Sequence, residues 1–189
     1  MKSICVYLGA KPGINNHLSH AAVELGQAIA ARGLQLVYGG SSHGLMGTLA
    51  QAVLEHGGQV TGIIPKTLLE QETPLDTLDK LIITDTMQER KLLMQQHSDA
   101  FLVMPGGLGT LEEAFDTWNA IKIGVIDKPI GFLNLNGFYD GLFSFMTHCE
   151  QQGFVSAAQL RIPLVDARPK HLIDALCENS SSYSEAVRL

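Results

Sequence analysis

Short apolar runs alternate along this chain with longer segments in which apolar and polar residues are mixed. Within a run, apolar residues follow one another instead of alternating with polar ones, as in strands that are buried on both faces. The six runs lie at residues 4–8, 34–38, 60–64, 80–84, 100–104 and 129–133. This pattern predicts a parallel sheet that is covered by helices on both sides.

The segments between these runs carry apolar residues at helical spacing. In residues 17–32, for example, Leu18, Ala22, Leu25 and Ile29 fall on one face. The further predicted helices cover residues 44–56, 88–98, 110–123, 138–152 and 169–178, and residues 65–79 form a polar, irregular connection. We therefore predict an α/β fold, a doubly wound, Rossmann-like parallel sheet with helices on both faces.

The length of 189 residues, 46% of them apolar, fits a single domain with a sizeable core. We expect this α/β domain to cover residues 1–179, and residues 180–189, which are rich in serine, to form a loose C-terminal tail.

Charge and cysteine content narrow the range of partners. The net charge is −6 and the 13 lysines and arginines are scattered, so no basic face for nucleic acid is predicted. The three cysteines lack the paired spacing of a zinc site or a disulfide framework, and no metal site is expected. Apolar stretches of signal-peptide type or of about 18 residues are absent, so we expect a cytoplasmic protein that does not bind membranes.

Glycine-rich turns follow the first, second and fifth apolar runs, at residues 9–13, 39–47 and 105–109. In an open parallel sheet, ligands bind where the strands end, because backbone amides at the following helix starts point outward there. The three turns together predict an anionic ligand. In the second turn, Gly40 and Ser42 are candidate phosphate contacts.

The third turn, PGGLGTLEE at residues 105–113, matches neither a Walker loop nor the complete dinucleotide fingerprint. In one interpretation it is only a tight turn in which Thr110 caps a helix and Glu113 completes a capping box. In the other, its glycines bring backbone amides close to a phosphate, while Glu113 faces a ribose hydroxyl, a water or a developing positive charge.

Two cations, Arg90 and Lys91, lie in the first turn of a predicted helix, where the helix dipole disfavours positive charge. They form either a solvated cluster with Glu89 or a site for an anionic ligand, which the planar guanidinium of arginine suits. Trp118, the only tryptophan, is expected in the core rather than against a base.

The turn at 105–113, together with the Arg-Lys pair at 90–91, resembles the signature of the LOG family, the cytokinin riboside 5′-monophosphate phosphoribohydrolases long mislabelled as lysine decarboxylases. The segments VYGGSSHGLMG, VTGIIPKTL, HSDAFLVMPGG and KPIGFLNLNGFYDGLFSF are also similar to those of the family. The resemblance covers residues 4 to about 165.

The resemblance implies hydrolysis of the N-glycosidic bond of a purine nucleoside 5′-monophosphate, with no cofactor, by a homodimer. Arg90 and Glu113 would be the catalytic pair. The residues implied in substrate binding are Glu72, Lys91, Gly106, Gly107, Leu108, Gly109, Thr110, Leu111 and Glu112.

The sequence departs from the family pattern in two positions and one segment: Gln88 replaces a common histidine, Ser41 replaces a glycine, and residues 119–127 lack the usual motif. AMP and N6-prenylated AMP are therefore both candidate substrates. A nucleotide-binding or molybdenum-cofactor carrier protein that catalyses no reaction is the alternative on the same fold. A Rossmann oxidoreductase is disfavoured by the incomplete fingerprint, and a pyridoxal-dependent decarboxylase by the lack of a marked lysine.

Overall fold

The computed structural model describes residues 1–14, 16–70 and 72–186, with only the backbone for residues 181–186. Its strands are β1 Ser3–Tyr7, β2 Gln35–Tyr38, β3 Val60–Pro65, β4 Lys80–Thr84, β5 Phe101–Val103, β6 Ile130–Leu133 and β7 Leu164–Asp166. Its α-helices are α1 His17–Ala31, α2 Gly44–Glu55, α3 Met87–Gln96, α4 Leu108–Lys122, α5 Asp140–Gln151, α6 Ala157–Leu160 and α7 Pro169–Ala186.

All seven strands pair in parallel in one sheet, in the order β4-β3-β2-β1-β5-β6-β7. The chain moves outward from β1 through β2 to β4, and then returns to place β5 on the other side of β1. At β1, Cys5 is in register with Val37 of β2 on one side and with Phe101 of β5 on the other. The carboxyl ends of β1 and β5 therefore form a topological switch point, where open sheets of this kind bind ligands.

Successive residues of the central strands point into two different cores, as the apolar runs require. Ile4 and Val6 pack with α1, α2 and α7, whereas Cys5 and Tyr7 pack with α3, α4 and α5. Trp118 belongs to the second core, where its ring stacks on Phe115 at a centroid distance of 5.6 Å. The predicted doubly wound α/β fold and the core position of Trp118 are confirmed.

The six predicted strands and the six predicted helices are all present, but some boundaries and two elements differ. Helix α6 and strand β7 were not predicted, because α6 has a single turn and β7 is a three-residue edge strand without a continuous apolar run. Helix α7 extends to Ala186, so the residues predicted to be a tail are helical up to that point, and residues 187–189 lie outside the described part of the chain.

The capping-box interpretation of the third glycine turn is wrong. Helix α4 begins at Leu108, so Gly107 is its N-cap and Thr110 already lies in its first turn. The N-cap has no side-chain hydrogen bond. The prediction started the helix at the first good capping residue, whereas the backbone becomes helical within the glycine turn.

Helices α1 and α2 pack closely because Gly26 leaves no side chain between them. A Cβ atom at Gly26 would lie 2.7 Å from Cβ of Ala52 and 3.0 Å from the carbonyl oxygen of Leu49. We expect Gly26→Val to lower the free energy of unfolding by about 1–3 kcal/mol, the usual cost of overpacking. Urea denaturation measures this loss.

The neighbouring residue Gln27 is exposed on the same helix and provides the matched control. Gln27→Val should change the free energy of unfolding by less than about 0.5 kcal/mol, since it touches no packed surface. Equal effects of the two substitutions would contradict the close packing of α1 on α2.

Candidate active site

A cavity of about 520 Å³ lies at the switch point, where β1 and β5 end. Its walls come from the loop after β1, the start of α2, the loop after β3, the start of α3 and the glycine turn before α4. Arg90, Glu113 and Glu72 line it together with Gly106, Gly107, Gly109 and Thr110. The structure thus brings the predicted catalytic pair and most of the predicted glycine turn into one cavity.

Arg90 reaches this cavity from the first half of α3 and is only 4% exposed. Its Nε donates to the carbonyl oxygen of Ile63 at 2.9 Å, and its Nη2 donates to that of Gly39 at 3.3 Å. These acceptors lie in β3 and directly after β2. The guanidinium is therefore held between two strands, and the solvated-cluster interpretation of Arg90 is wrong.

Gly39 is required for this placement of Arg90. A Cβ atom at Gly39 would collide with Nη2 of Arg90 and would lie 3.2 Å from the side chain of Met46. Since any other residue would occupy the place of the guanidinium, the glycine after β2 is an indirect part of the site. The sequence showed Gly39 as part of a glycine-rich turn. The turn alone did not indicate that the side chain of Arg90 would fill the space beside this glycine.

Glu113 lies in the second turn of α4 and is 6% exposed. Its Oε1 is 3.3 Å from Nη1 of Arg90. Burial raises the pKa of Glu113 to about 7, although the positive charge of Arg90 opposes the rise and the charges of Glu112 and Glu72 add to it. The carboxyl group is therefore divided between its protonated and ionised forms near neutral pH, as a proton-transferring group requires.

Glu72 brings a second carboxyl group to the cavity, from the connection between β3 and β4. Its Oε2 is buried and has no hydrogen-bond partner within the described chain. A buried oxygen of this kind costs free energy unless a donor meets it. The hydroxyl groups of a sugar are suitable donors.

The glycine turn offers the opposite electrostatic character. The first turn of α4 contains no acidic residue, and its N-cap Gly107 carries no side chain that could occupy the amide groups. A Cβ atom at Gly106 would collide with Oγ1 of Thr110 and would lie 2.8 Å from the backbone nitrogen of Gly9. The close approach of these two loops and the free amides form a surface that suits an anion.

Other predicted site residues do not line the cavity. Lys91 donates from Nζ to Oε1 of Glu112 at 2.9 Å and is 3.8 Å from Oδ2 of Asp116, an arrangement that raises the pKa of Lys91. Leu108 is 87% exposed, and Leu111 packs against the second core.

Two predicted phosphate contacts in the second glycine turn also lie away from the cavity lining. Gly40 has a positive φ of 85° and sits against Ile64. The backbone amide of Ser42 donates to the carbonyl oxygen of Thr73 at 2.8 Å. This part of the turn, just before α2, is instead hydrogen-bonded to the segment between β3 and β4.

Several residues of the lining were not predicted from the sequence. Lys11 lies in the first glycine turn, and Phe138, which is 51% exposed, follows β6. Met46 and Met87 add apolar surface from the starts of α2 and α3. The position of Lys11 after β1 was a usable signal, whereas the local sequence did not indicate that the three apolar side chains would face the cavity.

Among the described residues, no group of three or more histidine, cysteine, aspartate or glutamate side chains is placed to hold a metal ion. Within the same part of the chain, no helix combines the length and the apolar character needed to cross a membrane.

The fold and the site define a class: a doubly wound α/β protein with a buried arginine–glutamate pair beside a glycine turn at a helix start. The family model described as "possible lysine decarboxylase" matches residues 46–176. The chain belongs to this family, within which it groups with the cytokinin riboside 5′-monophosphate phosphoribohydrolases, the LOG proteins. The family resemblance of the sequence motifs is confirmed.

Three plant relatives illustrate the similarity. The chain is 42% identical to LOG5 of Arabidopsis thaliana over 93% of its length and 77% of that protein. It is 41% identical to LOG3 of the same plant, over 94% of this chain and 82% of the relative. The probable phosphoribohydrolase LOGL2 of Oryza sativa subsp. japonica is 39% identical over 98% of this chain and 76% of that protein.

Solved structures with the same fold include a molybdenum cofactor binding protein from Rippkaea orientalis. It has a TM-score of 0.71 and 23% identity, over 95% of this chain and 98% of that one. The molybdenum cofactor carrier protein of Chlamydomonas reinhardtii also has a TM-score of 0.71 and 23% identity, over 96% of this chain and 98% of that protein. At this level of identity the likeness shows the fold alone.

The raised pKa of Glu113 makes stability depend on pH. Between the ordinary value of 4.5 and about 7, the folded protein keeps a proton on Glu113 that the unfolded chain has lost. Stability therefore falls as pH rises through this window. Relative to Glu113→Gln, we expect the wild type to lose up to about 3 kcal/mol of unfolding free energy across it, measured by urea denaturation at a series of pH values.

Glu24 is exposed on α1, and Glu24→Gln serves as the control because its carboxyl group is solvated. The difference in unfolding free energy between Glu24→Gln and the wild type should stay constant over the same pH range. If the difference between the wild type and Glu113→Gln were flat as well, Glu113 would not be a buried carboxyl group with a raised pKa.

Proposed function

We propose that this protein hydrolyses the N-glycosidic bond of a purine nucleoside 5′-monophosphate and releases the free base and ribose 5-phosphate. The observation that carries the proposal is the buried pair of Arg90 and Glu113 at 3.3 Å, next to a glycine turn that suits a phosphate. Relatives that are about 40% identical to this chain over most of its length are named for this activity.

The proposed chemistry follows from the charge that develops at the sugar. Cleavage of a glycosidic bond passes through a transition state with positive charge on the ribose ring, which a nearby carboxylate stabilises. We assign this role to the ionised form of Glu113, which also serves as the general base for the attacking water. Arg90 lowers the pKa of Glu113 and fixes its carboxyl group, because the guanidinium is anchored to two backbone carbonyls.

The remaining contacts position the substrate. The amides of Gly107 to Thr110 and the hydroxyl of Thr110 are proposed to hold the phosphate, and Glu72 a ribose hydroxyl. With both ends of the ribose phosphate fixed, its C1′ atom is directed toward Glu113. The apolar lining from Met46, Met87 and Phe138 suits a purine, with or without an N6-prenyl group.

A carrier protein that binds a nucleotide or a molybdenum cofactor without turnover has weaker support. The molybdenum-cofactor proteins with this fold share only 23% identity with this chain, whereas the phosphoribohydrolases share about 40%. Binding alone also gives no reason to bury a carboxyl group with a pKa of about 7 in contact with an arginine.

We further propose a homodimer, as the family resemblance implies. Leu92 on α3 and Leu108 at the start of α4 are 52% and 87% exposed, and both lie on elements that build the site. Exposed apolar side chains indicate a protein contact where they form a continuous patch, and the dimer proposal requires such a patch around these two leucines. A mass of two chains by light scattering supports this proposal, and a mass of one chain contradicts it.

Glu113→Gln should keep the fold and bind AMP, but lose turnover by at least about 100-fold, because the amide neither stabilises the developing charge nor accepts a proton. Free base is measured by chromatography after incubation with AMP and, separately, with isopentenyl-AMP. In the wild type, kcat/KM should rise with pH up to about 7, the pKa of Glu113, and this dependence should be absent from the variant.

Glu24→Gln provides the control with the same chemical change on an exposed helix face. Wild-type turnover in Glu113→Gln would refute the assigned role. Failure of the wild type to release base from any of a panel of purine and pyrimidine monophosphates would refute the proposed activity itself.

A further inference from the structure

Lys11 lines the cavity from the loop that follows β1. This loop and the glycine turn before α4 touch along their backbones. The amide of Gly9 donates to the carbonyl oxygen of Pro105 at 3.3 Å, and a Cβ atom at Gly9 would lie 3.3 Å from Cα of Gly106. Lys11 follows Gly9 by two residues and lines the same cavity as Gly107, the N-cap of α4.

Lys11 and Arg90 are the two cations among the described residues that line the cavity. The guanidinium of Arg90 is already committed, since its nitrogens contact the carbonyl oxygens of Ile63 and Gly39 and the carboxylate of Glu113. Lys11, in contrast, is exposed and takes part in none of the ion pairs of the described chain. Its ammonium group is therefore free to meet a ligand.

The cavity also needs a cation for electrostatic reasons. Glu113 and Glu72 both present carboxyl groups to it, and a phosphate dianion would add to their negative charge. Lys91, the other lysine that the sequence placed at the site, is bound to Glu112 at 2.9 Å and does not line the cavity. The amides of α4 contribute only the partial positive charge of a helix N-terminus.

We propose that Lys11 pairs with the 5′-phosphate of the substrate and makes the site select nucleoside monophosphates over nucleosides. This inference rests on the proposed function, because it assigns a role within the same cavity. The free ammonium group on a flexible stem closes over a phosphate that the α4 amides hold from the other side. Lys11 is thus a binding and specificity residue, with no part in the chemical step.

The test measures the binding of AMP and of adenosine by calorimetry, with the wild type, Lys11→Met and Lys11→Arg. Lys11→Met should weaken AMP binding about 10- to 100-fold, the usual range for losing one charge-assisted contact, and leave adenosine binding unchanged. Lys11→Arg should restore most of the affinity for AMP. The effect should shrink at high ionic strength, because an exposed ammonium group is screened by salt.

Lys122 provides the matched control, since it is an exposed lysine at the C-terminal end of α4. It lies about 20 Å along the helix from the glycine turn at the start of α4. Lys122→Met removes the same charge and should leave the affinity for AMP unchanged. The inference is overturned if Lys11→Met binds AMP as the wild type does, or if it loses AMP and adenosine binding equally.

These outcomes separate the inference from the proposed function. Binding of AMP that depends on Lys11, without release of base by the wild type from any monophosphate of the panel, supports the phosphate contact and refutes the hydrolase. Release of base from AMP with kcat/KM unchanged in Lys11→Met supports the hydrolase and refutes the role of Lys11.

Discussion

The burial of Glu113 against Arg90 is the interaction on which the site depends. Removing both charged groups from water is costly, and their mutual attraction alone seldom offsets that cost. The carbonyl groups of Ile63 and Gly39 satisfy much of the guanidinium, whereas burial of the carboxyl group raises its pKa to about 7. The pair is therefore better explained by chemistry than by stability, since a carboxyl group poised near neutral pH is a reactive one.

Glycine residues make this arrangement sterically feasible by allowing chain segments to approach closely. Gly39 leaves room for the guanidinium of Arg90, and Gly106 leaves room for Thr110 and for the loop at Gly9. Neither residue has a positive φ, so their role is close packing and not an unusual backbone conformation. The same sheet edge consequently combines two very different environments: a buried acid, Glu113, in the second turn of α4 and an open set of amides at the start of that helix.

The fold was predictable because its central strands are apolar on both faces, a pattern typical of a parallel sheet between two helix layers. The short edge strand β7 escaped prediction, since three partly exposed residues carry too little pattern. Within the site, the sequence motifs predicted Arg90 and Glu113 correctly as lining residues. They also predicted Lys91, which does not line the cavity, because the motifs do not show which face of α3 points inward. The start of α4 at Leu108 was also hidden, because glycine can enter a helix without any capping signal. The contribution of Phe138 was not predictable, because it depends on the three-dimensional contact of loops that are distant in the sequence.

Product analysis in water enriched in ¹⁸O tests the central claim most directly, because the released products and the label in inorganic phosphate identify the bond that breaks. With AMP as substrate, water that attacks the ribose releases adenine and forms no labelled inorganic phosphate. Mass spectrometry of the products should find this pattern in the wild type. Label in inorganic phosphate together with released adenosine would show cleavage of the phosphate ester instead, and would contradict a mechanism in which Glu113 faces the sugar.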